Sequence, residues 1–76
     1  MKLPALTAEK IIKILIKKNF KIKRRKGSHI QLEDNEGRRV TVPIHSSRKI
    51  GRGLLRKIMR DAEISREELI RLLKEV

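Results

Sequence analysis

The residues of this chain that could do chemistry on a charged substrate gather in one stretch, Lys23-Arg24-Arg25-Lys26-Gly27-Ser28-His29, where four cations run through a Gly-Ser break into a histidine. Cations hold a phosphate backbone, and an imidazole, which titrates near neutral pH, can give or take a proton beside it. A second histidine opens the basic polar loop His45-Ser46-Ser47-Arg48-Lys49-Ile50-Gly51-Arg52-Gly53. A solvated hairpin carrying a surface histidine is the competing account of the same residues. No cofactor is implied, and a metal site is not expected. Cysteine is absent, no carboxylate cluster adjoins either histidine, and two histidines make an incomplete ligand set.

The chain that must position these groups has 76 residues, enough for one domain spanning 1–76. A chain this short buries only roughly 60% of its unfolded surface, so one small core is the ceiling. Without cysteine, disulfides cannot reinforce it. No apolar run approaches the roughly 18 residues of a membrane span, and the first residues lack a signal peptide's apolar segment, so the expected location is the cytoplasm. Lys and Arg number 21 against 9 Asp and Glu, a formal net charge of +12, which points to a polyanionic partner. Nucleic acid is favoured over a membrane surface, because the strongly apolar helix is needed for the core and no Trp or Tyr serves as interfacial anchor. Surface charge that serves solubility and heat tolerance is the alternative.

Thr7 is a good N-cap, with Leu6 placed to staple against Ile11. Ala8, Ile11, Ile12, Leu15 and Ile16 then form one apolar helical stripe, Ile14 falls off it as a candidate outward contact, and Asn19 suits the C-cap. Phe20 to Arg25 alternates as a strand, with Phe20 and Ile22 inward and Lys21, Lys23 and Arg25 outward. Gly27-Ser28 turns the chain into a second strand, His29 to Glu33, with Ile30 and Leu32 inward. Arg39 to Val42 is the third, with Val40 and Val42 inward. A three-residue loop, Asn35-Glu36-Gly37 with Gly37 left-handed, sets Leu32 against Val40 and Ile30 against Val42. The same register puts Gln31 opposite Thr41 and His29 opposite Pro43, and brings His45 diagonally near His29 if the strand runs on. By shared parity, Lys23 or Arg25 is expected opposite His29.

A second helix follows with Leu54, Leu55, Ile58, Met59 and Ala62 inward and Arg52, Arg56 and Arg60 along its other side, a stripe that suits phosphate or simply a solvated face. Asp61 to Ile64 breaks it. Ser65 with Glu68 is a capping box for a last helix bearing Leu69, Leu72, Leu73 and Val76. The predicted fold is α+β, α-β-β-β-α with an extra C-terminal helix: a three-stranded antiparallel sheet with helices on one face. The other face stays polar and holds His29. The only aromatic, Phe20, points inward, so a stacking platform for unpaired bases is missing and recognition by backbone and shape is expected. Candidate nucleic-acid contacts are Lys21, Lys23, Arg25, Lys26 and Ser28, Arg48 and Lys49 in the loop, and Arg52 and Arg56 on the second helix.

Lys26-Gly27-Ser28-His29, Val42-Pro43-Ile44-His45, Gly53-Leu54-Leu55-Arg56-Lys57-Ile58-Met59-Arg60 and Ile64-Ser65-Arg66-Glu67-Glu68-Leu69, in that order and spacing, resemble the HicA toxin family over nearly the whole chain. The chain departs from the family at Leu54, where Thr is usual, at Met59, often Leu, and at Glu63, commonly Gly. The resemblance implies a double-stranded-RNA-binding-like fold and the toxin of a type II toxin-antitoxin system. It further implies an endoribonuclease (mRNA interferase) that cleaves mRNA without the ribosome and is neutralised by a HicB-type antitoxin. The family's functional histidine, in its Gly-Ser-His motif, falls on His29. Metal-independent phosphodiester cleavage needs a base for the 2′-OH and an acid for the 5′ oxygen, and an imidazole with an ordinary pKa of about 6.5 can serve as either. His29 is the expected base. The second proton carrier stays open: His45 is available, while Lys23 or Arg25 could instead stabilise the charged phosphorane. A non-catalytic RNA-binding module of the same fold, or a domain that docks an acidic protein, would use the same residues differently.

Overall fold

The computed structural model describes residues 5–44 and 49–76. The order is β1 (Leu6–Thr7), α1 (Ala8–Lys17), β2 (Lys21–Lys26), β3 (His29–Glu33), β4 (Arg39–Pro43), β5 (Lys49–Ile50), α2 (Arg52–Ala62) and α3 (Arg66–Glu75). The expectations placed on His45 and Arg48 lie outside the described residues. The α-β-β-β-α order with a further helix is as the sequence predicts. The two-residue ladder of β1 with β5, pairing Leu6 with Ile50, is an addition in segments read as irregular.

Thr7 caps α1, its Oγ1 accepting the Lys10 N–H at 3.3 Å. At the other end Asn19 takes the left-handed conformation (φ 71°). Its N–H donates to Ile16 O (3.0 Å) and that of Phe20 to Leu15 O (2.9 Å), which closes the helix and drops Phe20 into the core. The apolar stripe is wider on one flank than predicted. Ile14 is 1% exposed and Ile16 50%, the reverse of the expectation. These two residues stand about 200° apart around a helix of 3.6 residues per turn, so one flank can be covered while the other is not. Lys18, one turn after Ile14, bonds Glu68 of α3 at 2.8 Å, so the packing of α3 on α1 reaches that flank.

The sheet has order β2-β3-β4, all antiparallel. Gly37 is left-handed (φ 84°), and β3 and β4 pair as predicted, Leu32 with Val40, Ile30 with Val42 and His29 with Pro43. Ile30, Leu32, Val40 and Val42 are buried under α1 and α2, both of which pack on β4. β2 is the uncovered edge. All of it is exposed, and Ile22, expected in the core, is half-exposed on this edge strand.

β2 also departs from its predicted phase. Ile22 pairs with Leu32, but a bulge follows, and Arg24 pairs with Gln31, Arg25 with Ile30 and Lys26 with His29. One extra residue in a strand reverses the facing of everything after it. Arg25 therefore lies on the inner side, and the residue opposite His29 is Lys26, not Lys23 or Arg25.

α2 buries Leu55, Ile58, Met59 and Ala62, with Leu54 half-buried. It ends at Glu63, left-handed at φ 54°, where the N–H of Ile64 bonds Met59 O (2.9 Å). Ser65 Oγ accepts the Glu68 N–H at 3.1 Å and starts α3, which buries Leu69 and Leu72.

Candidate nucleic-acid interface

The outer face of the sheet carries His29, Gln31 and Glu33 on β3, Arg39 and Thr41 on β4, and Lys21, Arg24 and Lys26 on β2. The turn between β2 and β3 fixes the central pair. Gly27 has φ 58° while Ser28 is not left-handed, as in a two-residue type II′ turn with glycine first, so Lys26 and His29 flank it directly opposed. Side chains in such a pair have Cβ atoms about 4.5–5.5 Å apart.

A hollow of about 560 Å³ opens here, lined by Lys26, Gly27, Ser28 and His29, with Arg24, Gln31 and Thr41 beyond them. Its cations, Arg24 and Lys26, make no ion pair among the described residues, and no carboxylate stands among those that line it. Exposed cations not neutralised within the fold suit a polyanion. The Ile44 N–H donates to Ser28 O at 2.6 Å, so the chain stays beside the turn, next to His29, one residue past Pro43.

Asp34, Glu36 and Glu63 gather around Arg38 at the opposite end of the β3–β4 hairpin. Asp34 Oδ1 accepts the N–H groups of Glu36 (3.0 Å) and Arg38 (2.8 Å), and Arg38 bonds Asp34 Oδ2 at 2.9 Å and Glu63 Oε2 at 2.8 Å. Burial opposes charge on Asp34, but the Arg38 side chain with the N–H groups of Arg38 and Glu36 outweighs it and holds the carboxyl below its ordinary range. The hydrogen bond from Arg38 likewise lowers Glu63, and Glu63 and Asp34 together raise Arg38. This cluster ties the hairpin tip to the end of α2.

Of the predicted contacts, Lys26 and Ser28 share the hollow with His29, and Lys23, at the bulge, lines an adjoining one. Lys21 lies on the same face, opposite Glu33. Arg25 is turned to the inner side, while Lys49 on β5 and Arg52 and Arg56 on α2 are exposed but do not line the hollow. Arg24 was missed, because its facing depends on the bulge. Among the described residues no group of three His, Cys, Asp or Glu stands close enough to hold a metal ion.

Fold and sheet face define a small α+β protein, α-β-β-β-α around a three-stranded antiparallel sheet with one added C-terminal helix. A family model described as HicA toxin of bacterial toxin-antitoxin matches residues 8–64, and the chain belongs to that family. Membership makes it a toxin with an antitoxin partner. A search of curated proteins found no match. Among the described residues no helix is long and apolar enough to cross a membrane.

Proposed function

We propose that this toxin is an endoribonuclease that cleaves mRNA by metal-independent acid/base chemistry at His29. The observation that carries the reading is the exposed His29 directly across from Lys26, with Arg24 in the same hollow. In this reading His29 takes the 2′-OH proton, and the 2′ oxygen attacks the adjacent phosphorus. The bond to the 5′ oxygen breaks as that oxygen gains a proton. The products are a 2′,3′-cyclic phosphate and a 5′-OH end. Lys26 and Arg24 offset the negative charge that builds on the phosphorane. His45, which follows the anchored Ile44, is the proposed acid.

A HicB-type antitoxin would inhibit by covering this face with acidic groups. An antitoxin complex that still cleaves RNA would contradict that. The cleavage reading is tested on a labelled mRNA with purified protein in EDTA: cyclic phosphate ends support it, and 3′-OH ends contradict it.

A further inference from the structure

The outer face holds a second hollow, of which the cleavage step uses only the shared Arg24. About 330 Å³ in volume, it lies between Lys23, Arg24, Glu33 and Arg39, and it shares Arg24 and Gln31 with the hollow at His29. The two therefore adjoin along the strands. Three cations against one carboxylate leave the second hollow positive. Its carboxylate holds one of those cations: Arg39 Nε donates to Glu33 Oε1 at 3.0 Å, while the Arg39 side chain stays 83% exposed. The guanidinium is oriented by this bond, and its terminal N–H groups are left for an anion.

The bulge gives the arrangement its spacing. It inserts Lys23 beside Arg24, so cations face outward at Lys23, Arg24 and Lys26 along one strand. Side chains two apart on a strand repeat every ~6.7 Å, a step comparable to that between successive phosphates of an extended RNA strand. With no aromatic available for stacking, contacts of this kind must hold the strand.

We infer that the second hollow binds the phosphate of the nucleotide next to the scissile one, so that a single RNA strand crosses the sheet from His29 over Arg24 to Lys23 and Arg39. Glu33 is a positioning residue that aims Arg39. The inference rests on the reading of His29 as the cleavage centre.

The test uses the His29→Ala protein, expected to bind RNA without cutting it, and labelled dinucleotide and hexanucleotide RNAs across a range of salt. Affinity is expected to rise from the dinucleotide to the hexanucleotide. Adding Arg39→Ala or Lys23→Ala should lower the hexanucleotide salt slope by about 0.7, the counterion release of one phosphate contact on a single strand, and Arg39→Lys should restore it. Equal slopes with and without Arg39→Ala, in variants shown by circular dichroism to be folded, would overturn the inference while leaving cleavage at His29 intact. Failure of the parent to cut RNA would overturn the cleavage reading itself, and the inference with it.

Discussion

Lys26 stands directly across the β2–β3 ladder from His29, set there by the two-residue turn Gly27-Ser28, while Pro43 of β4 is the partner of His29 on its other side. A cation fixed opposite the proposed base can meet charge as it develops without reorganising.

Lys26→Ala is therefore expected to lower kcat for RNA cleavage by roughly 10²-fold, in the range for loss of one transition-state donor, and Lys26→Arg to retain much of the activity. Arg25→Ala, on the inner side of the edge strand, should show a much smaller loss. Equal losses at both positions would mean that the cations act only as diffuse charge.

Ile14 and Ile16 separate packing from exposure on one helix. Ile14→Ala should cost about 2–5 kcal/mol in urea denaturation. Ile16→Ala should stay within about 0.5 kcal/mol, since nothing packs tightly on it. A large loss at Ile16 would show that its flank is covered.

The Arg38 cluster makes stability acid-sensitive. Asp34 and Glu63 lie below their ordinary pKa values of 3.8 and 4.5, so the folded state binds fewer protons than the unfolded one in this range. Their contribution is present above about pH 4.5 and is lost as pH falls through the lowered values. Tm should fall between pH 6 and pH 3 in the parent and fall less in Arg38→Ala. Glu63→Gly removes the carboxylate and the left-handed backbone cost together, and should flatten the same profile.

If His45 is the acid, the pH–rate profile of the parent has two limbs and that of His45→Ala has lost one, with kcat reduced by roughly 10²-fold. An unchanged profile would remove His45 from the mechanism.

Much of this site was legible because its determinants are local. Gly37 fixed the β3–β4 register, and Thr7, Ser65 and Asn19 mark helix ends by chemistry that acts within a few residues. The phase of β2 was not legible. From Lys23 to Lys26 every residue is a cation, so no apolar residue reports which way the strand faces, and extrapolation from Phe20 and Ile22 missed the bulge. Gly27-Ser28 did carry the answer, since a two-residue turn opposes Lys26 to His29 whatever precedes it. Ile14 was misjudged because burial on α1 depends on the elements packed against it, α3 among them, which α1's own periodicity does not contain. The left-handed backbone at Glu63 explains why glycine suits that position.

The most direct test of the account is to compare the parent and His29→Ala for cleavage of one labelled mRNA in EDTA, without antitoxin, and to measure RNA affinity of both alongside. The account predicts cutting by the parent alone, with both proteins folded and binding RNA to within about 10-fold of each other. Cutting that persists in His29→Ala would place the chemistry elsewhere. Tight, salt-sensitive binding with no cutting by either protein would make the domain an RNA-binding module and His29 a surface contact.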